Sequence, residues 1–547
     1  MTATGGSGSF TPNLDAEVGR IPMSRSSLAP YNPEPVQRLL EQAAERWPDE
    51  IAIIDGERRF TFAELDAHSG RFASALAAMG LGKGDIVGIL SPNCAEFEIA
   101  FFGILKAGAT VTTVNSGYRE REIAYQLQAS GAQALIVHHT LADAADLALF
   151  GSEEPIERIL IAEGADTAPS FWSLIEAQSG PPPEPALDPY EDIAALPFSS
   201  GTTGLQKGVM LTHSNLHTNV RQNLGRPGEE GVVRRGDVML VHLPLFHIYG
   251  MTVLQLSAIA AGATQVMMGR FDMREMLALI AEHRMTVLYT VPPVCLGLTL
   301  TPLLDEYDVS SLRFLLTGAA PLSGELQTRL AERLGCAVIQ GYGLTETSPM
   351  TNTDFTDERG RPGTIGPALP DTEERIVDLE SGDRDLPPGE LGELLVRGPQ
   401  VMKGYYRQPE ATAEAITPDG WFHTGDIASM DEDGYVSIVD RKKELIKYKG
   451  FQVAPAELEG LLLEHPGVAD AAVIPKADDE AGEVPKAYVV RKPDAEPSAD
   501  ELKSFVAERV ATFKQLREVE FIDAIPKNAS GKLLRRVLIE QDRARQE

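Results

Sequence analysis

Between Pro197 and Val209 the chain reads Pro-Phe-Ser-Ser-Gly-Thr-Thr-Gly-Leu-Gln-Lys-Gly-Val. Ser199, Ser200, Gly201, Thr202, Thr203 and Gly204, followed by Lys207, gather hydroxyl donors, free backbone N–H groups and one cation in a single loop. Such a loop suits a polyphosphate. It is not the common P-loop, whose glycines stand five apart with Lys directly after the second; here Gly201 and Gly204 are three apart and Gly208 follows the lysine. Apolar Ile193 to Phe198 precedes the loop, Val209 to Thr212 alternates as a strand, and a helix is expected to start at Ser214 as N-cap. The loop itself, not a helix dipole, would grip the phosphates. A flexible linker shares this composition, but a linker seldom lies between two apolar strands or carries a lone lysine.

The elements that must position such a loop are numerous. At 547 residues the chain exceeds a single core and calls for two or more domains. A formal net charge of −31 repels nucleic-acid phosphates and argues against that partner. Against so acidic a background, basic residues in glycine-rich stretches are informative: Lys207, Arg441, Lys443, Lys447, Lys449 and Lys532. Cys94, Cys295 and Cys336 lie far apart without metal-ligand spacing, which fits buried thiols in a reducing cytoplasm. Met1 to Phe10 lacks a basic-then-apolar signal pattern, and residues 1–29 are expected to form a loose tail. The apolar run from Ile248 to Met268 is broken by Gln255, Ser257, Gly262, Thr264 and Gln265, so it reads as a buried helix and strand, with no transmembrane segment.

Residues 30 to 140 alternate helix and strand. Thr61 and Glu64 form a capping box ahead of a helix stopped by Gly80; a strand follows at Asp85 to Leu90, a helix at Ala95 to Lys106 with Gly108 as its stop, and a strand at Thr110 to Val114. Glu120 to Ser130 and Ala134 to Val137 repeat the pair. The alternation predicts an α/β fold, a large N-terminal domain of mostly parallel sheets covered by helices. Gly151 to Tyr190 reads as a loop connection, and Glu374 to Arg397 as a β-rich subdomain. The last hundred or so residues, with helices at Ala456 to Glu464 and Ala499 to Val510 and strands at Ala471 to Ile474 and Ala487 to Val490, suggest a small mobile α+β lid.

Five motifs stand in order: Ser-Ser-Gly-Thr-Thr-Gly at 199–204, Gly-Tyr-Gly-Leu-Thr-Glu at 341–346, Thr-Gly-Asp at 424–426, Asp-Arg-Lys-Lys-Glu-Leu-Ile-Lys at 440–447 and Pro-Lys-Asn-Ala-Ser-Gly-Lys at 526–532. Together they resemble the adenylate-forming superfamily of acyl-CoA synthetases, peptide-synthetase adenylation domains and luciferases, from about Pro35 onward. Leu-Phe-His-Ile-Tyr at 245–249 and Lys-Tyr-Lys-Gly-Phe-Gln-Val-Ala-Pro at 447–455 look most like 4-coumarate–CoA ligases and their fatty-acyl and luciferase relatives. Gln206 departs from the proline usual before the lysine, and removes no phosphate ligand.

The resemblance implies a ligase that uses ATP, Mg²⁺ and coenzyme A to turn a small-molecule carboxylic acid first into an acyl-adenylate and then into a thioester, acting as a monomer or homodimer. It divides the chain into an adenylate-forming domain at 30–439, a hinge at 440–443 and a lid at 444–547. Lys532 would supply the cation at the carboxylate and α-phosphate, with His247, Lys447 and Gln452 as further catalytic positions. ATP or AMP would meet the 199–204 loop, Lys207, Gly318, Ala319, Ala320, Pro321, Gln340, Gly341, Tyr342, Gly343, Thr345, Asp426 and Arg441. His247, Tyr249, Ala319, Gln340, Gly341 and Lys443 would line the acyl pocket, Arg270, Lys449 and Gly450 would meet coenzyme A, and Glu346 would hold the metal. The small residues Gly250, Ala319 and Gly343 leave room for an aryl-propenoic or medium-chain acid. A long-chain fatty acyl-CoA synthetase, a luciferase-type oxygenase, an enzyme loading a carrier protein and a catalytically silent nucleotide or acyl sensor are the competing readings.

Overall fold

The computed structural model describes residues 26–150, 156–161, 170–199, 206–225, 232–354, 361–449, 451–478, 481–493, 495–527 and 533–546. Among them the strands form four sheets. One eight-stranded sheet runs Met350–Thr353, Ala337–Gly343, Phe314–Thr317, Val287–Thr290, Val238–Val241, Thr264–Met267, Ile51–Asp55 and Arg58–Thr61. Its inner pairings are parallel and only the two edges antiparallel. A second eight-stranded sheet has Ile86–Leu90 between Thr110–Val114 and Ala134–His138, all parallel, and reaches Lys207–Thr212 through Ile193–Ala195.

Apolar side chains of both sheets and of the helices Phe62–Ala78 and Ala95–Ala107 share one large core. Each βα connection here buries strands on both faces, which explains the near-continuous apolar runs Ile-Val-Gly-Ile-Leu and Ala-Leu-Ile-Val. The Thr61–Glu64 capping box forms as expected. The helix after the phosphate loop begins earlier than expected: it spans His213–Leu224, and Thr212, not Ser214, is its cap, accepting from Asn215 N. The stretch from Gly151 to Tyr190 is more than a connection, because Glu157–Ile161 adds a parallel edge strand beside Ala134–His138 and Phe171–Glu176 is a helix.

A four-stranded antiparallel sheet follows, Glu373–Val377, Gly392–Arg397, Phe422–Met430 and Val436–Arg441. The last unit builds a five-stranded sheet around a long hairpin, Val468–Asp478 against Gly482–Arg491, both strands exceeding their expected lengths. Its buried clusters, one holding Ile446, Leu458, Val473 and Leu502 and another Tyr488, Ile525 and Leu538, are separate from the large core. Residues 1–25 of the expected tail lie outside the described part, while Leu28 N donates to Asp371 Oδ2 at 2.8 Å. No helix among the described residues is long and apolar enough to cross a membrane.

Candidate active site

Strand Lys207–Thr212 begins at Lys207 of the expected phosphate loop, and pairs antiparallel with Phe198–Ser199 and with Gly404–Tyr405. That pairing places Tyr405 beside the loop, and the Lys207 ammonium lies 4.7 Å from the centre of its ring. The Tyr405 hydroxyl donates to Glu346 Oε1 at 3.0 Å, and Ser199 Oγ donates to the same oxygen at 2.9 Å. Burial, then the adjacent Glu346 charge, pushes the Tyr405 phenol far above its ordinary range, so it stays a donor at any working pH. Ser199, Lys207, Glu346 and Tyr405 thus come together in one cluster. Nothing in the spacing of Gly404-Tyr405-Tyr406 announced it; the strand pairing alone gives it this place.

Glu346 is buried on a 3₁₀ turn, Thr345–Thr347, that leaves strand Ala337–Gly343. Its backbone carbonyl accepts Met402 N at 2.8 Å. The same strand presents Tyr342, whose hydroxyl donates to Asp426 Oδ2. Arg441 Nε lies 2.7 Å from Asp426 Oδ1, the two residues facing each other in register across neighbouring strands. Burial opposes the Arg441 charge, and Asp426 with its neighbours outweighs it, so the guanidinium is held more firmly than usual. Tyr342 is pushed well up by burial and by Asp426. A carboxylate has about four lone-pair directions, so its two oxygens can take several donors at once.

A second wall comes from the turn Gly318 to Pro321. Ala319 takes φ +70°, a conformation that alanine adopts at a cost, and both Ala319 and Pro321 are exposed, with Ala320 half-buried. A Cβ on Gly318 would sit 3.2 Å from the Gly341 carbonyl and 3.5 Å from the Tyr249 ring, which brings the turn, Gly341 and Tyr249 together. Tyr249 opens a π-helical stretch, Tyr249–Leu256, just after the half-buried His247, and Tyr249 N donates to His247 Nδ1 at 3.2 Å. The wide turn leaves backbone carbonyls to side chains, as Ser257 Oγ donating to Thr252 O shows.

Two expectations change. The Gln340 side chain does not point at a ligand: its Oε1 accepts Leu322 N at 2.9 Å, and its Nε2 donates to Leu322 O and Gln327 Oε1, both at 3.0 Å. It braces the 318–322 turn instead, and anything it offers an acyl chain or adenine is backbone. Gly250 and Gly343 are small for the chain's sake, not for a substrate's. A Cβ at 250 would lie 2.2 Å from the Pro244 carbonyl oxygen, and one at 343 would lie 1.9 Å from that of Pro349.

Arg270, Lys443, Lys447 and Lys449 are exposed, the last with φ +47° and its N–H bonded to Ala481 O. Lys447 pairs in register with Gln452, of which only the backbone is described. Ser200 to Gly204, Gly450 and Lys532 lie outside the described residues.

The profile of the AMP-binding enzyme family matches residues 40–406, and that of the AMP-binding enzyme C-terminal domain matches residues 457–532. A 4-coumarate–CoA ligase of Pinus taeda is 42% identical over 506 residues, 91% of this chain and 93% of its own. 4-Coumarate–CoA ligase 2 of Oryza sativa subsp. japonica is 44% identical over 509 residues, covering 89% of this chain and 88% of its own. Among solved structures, ATP-bound MatB from Rhodopseudomonas palustris superposes with a TM-score of 0.82 at 30% identity, over 92% of this chain and 98% of that one.

Proposed function

We propose, since the chain belongs to the AMP-binding enzyme family of the adenylate-forming superfamily, that it activates an aryl-propenoic or medium-chain acid as its coenzyme A thioester. It is an ATP-dependent acid–thiol ligase. The observation that carries the site assignment is the buried Asp426 carboxylate, gripped by Tyr342 and Arg441 where the four-stranded sheet runs into residues 440–443. A carboxylate so fixed suits the two hydroxyls of a ribose.

In the first half-reaction a carboxylate oxygen of the acid attacks the α-phosphorus of ATP, a P–O bond breaks, and pyrophosphate leaves. Charge builds on phosphoryl oxygens, so catalysis consists of placing donors and cations there ahead of time. Lys207, stacked on Tyr405, and the hydroxyls from Ser199 to Thr203 would hold the phosphates, and Lys532 would meet the carboxylate and α-phosphate. Glu346 would hold Mg²⁺. Among the described residues no group of three or more His, Cys, Asp or Glu could bind a metal by itself, and one oriented carboxylate fits a hard cation whose other ligands are phosphate oxygens and water. When bound, that ion supplies countercharge to the phosphates. In the second half-reaction the coenzyme A sulfur attacks the acyl carbonyl, the C–O bond to AMP breaks, and the thiol proton passes to solvent. Residues 440–443 would be the hinge that exchanges lid faces between the halves.

A panel of carboxylic acids scored by pyrophosphate release, with and without coenzyme A, tests the substrate class; cinnamate-type and medium-chain acids should lead. Lys532→Ala should cut acyl-adenylate formation by about a hundredfold to a thousandfold, the effect of losing one placed donor. Thioester formation from synthetic acyl-adenylate should survive, and equal loss of both steps would refute the role.

A further inference from the structure

Glu393 is a buried carboxylate that no part of the reaction above employs. It stands on strand Gly392–Arg397, next to Phe422–Met430, with its side chain only 4% exposed. Three groups converge on it. Gly425 N donates to Oε1 at 3.2 Å, His423 Nδ1 lies 3.4 Å from Oε1, and the Lys442 ammonium lies 2.8 Å from Oε2. Burial pushes the carboxyl up, but His423 and Lys442 together outweigh it and hold the group below the usual carboxylate range. Glu393 is therefore ionised in the fold.

Gly425, which precedes Asp426, is held by both of its backbone polar groups. Its N–H is bound by Glu393, and its carbonyl accepts Lys442 N at 2.8 Å. It also takes φ +69°, a conformation suited to glycine. Lys442 lies inside 440–443, so one carboxylate touches both the turn that presents the ribose-binding candidate and the segment assigned as hinge. A bend at 440–441 would carry the Lys442 ammonium and the Lys442 N–H away from Glu393 and Gly425 together. Two polar contacts would break in one movement.

We infer that Glu393 is a positioning residue with two tasks: its Oε1 fixes the turn that aims Asp426, and its Oε2 clasps Lys442 and so biases which lid position residues 440–443 favour. The inference rests on the ligase reading and on its hinge. A contact made in only one of two states shifts their populations by its own free energy, and therefore shifts the balance between the two half-reactions.

Glu393→Gln keeps an acceptor for Gly425 and removes the attraction for Lys442. Lys442→Met keeps the aliphatic stem and removes the charge. Each should change the ratio of the separately measured adenylation and thioester rates by about twofold to fivefold, in the same direction, as expected for a half-exposed ion pair. The double variant should exceed neither single one by more than about twofold, because both remove the same contact. Lys442→Arg should restore the wild-type ratio. Glu393→Ala should in addition raise KM for ATP by about fivefold or more, since it leaves the Gly425 N–H without its acceptor, whereas Lys442→Met should leave KM for ATP unchanged. Loss of both half-reactions by a common factor in Glu393→Gln and Lys442→Met, or an unaltered ratio in Lys442→Met, overturns the inference. If the wild-type protein releases no pyrophosphate with any acid, the ligase reading itself has failed; an active wild type whose variants keep its ratio removes only the clasp.

Discussion

Two helices of the large domain are buried along their length in opposite ways. Ala95–Ala107 is lined by Phe97, Ile99, Phe101, Phe102, Ile104 and Leu105, all fully buried. His213–Leu224 is buried too, but through His213, Asn215, His217, Thr218, Asn219, Gln222 and Asn223. The apolar helix needs neighbours of the right volume, and many would serve. The polar helix needs particular atoms. Asn215 donates to the carbonyls of Pro399 and Val401, Asn219 exchanges both hydrogen bonds with the backbone of Met350, and Gln222 reaches Pro370 and Thr372. Met350 and the 399–401 stretch adjoin the Glu346 turn, whose carbonyl accepts Met402 N, so the polar helix fixes where the candidate site stands while the apolar one supplies cohesion.

Truncating the apolar helix should cost the most stability and the least specificity. Phe101→Ala should lower unfolding free energy by about 3–5 kcal/mol, with KM for ATP and acid unchanged in the fraction that stays folded. Asn219→Leu should cost about 2–4 kcal/mol, because it leaves the buried Met350 N–H and carbonyl without partners. Unlike Phe101→Ala, it should lower pyrophosphate release well below what the folded fraction accounts for, as the Glu346 turn drifts. If both variants reduce turnover only in proportion to folded protein, the division of labour between the helices is wrong.

The smallest effect is the most discriminating, since the two helices should respond to pH with opposite sign. Burial pushes His213 and His217 down to about 4, and unfolding lets them take up protons near 6.5. Their share of stability is therefore whole above about pH 6.5 and drains away as pH falls toward 4. On the apolar helix burial pushes Glu98 up to about 8, against an ordinary 4.5. That share is whole below about pH 4.5 and is lost as pH climbs through 8. Glu98 Oε2 accepts from Gln265 Nε2 at 3.1 Å, while Glu98 Oε1 and Gln265 Oε1 are buried without a hydrogen-bond partner among the described residues. Glu98→Gln replaces the buried ionisable carboxyl with a neutral amide that can still accept from Gln265 Nε2, and should raise stability at pH 8 by about 1–3 kcal/mol, flattening the alkaline limb of a stability–pH curve and leaving the acid limb alone.

The same contrast explains what could be read in the sequence. Ala95 to Lys106 is legible as a helix from its sequence, and its apolar residues are the ones the structure buries. His213–Leu224 was placed two residues late, and its Asn, His and Gln look like a solvated face; their partners lie more than a hundred residues away, where no local pattern reaches. Ser199, Lys207, Glu346, Asp426 and Arg441 stood out because each belongs to a motif. Tyr405 and Glu393 are single residues whose importance comes from lying across a strand from those motifs, a relation created by register. Gln340 shows the complementary case: it directly precedes the 341–346 motif, but its amide is turned to the neighbouring 318–322 turn.

The crowding at Gly250 and Gly343 bears on any attempt to retune which acid is accepted. Libraries that vary these two positions would fill with clones lost before selectivity is scored, because any larger residue drives into main chain that has nowhere to retreat. Diversity is better placed at Tyr249, whose side chain rather than backbone meets the 318–321 turn, and a screen that holds 250 and 343 constant should return more active clones per plate than one that does not.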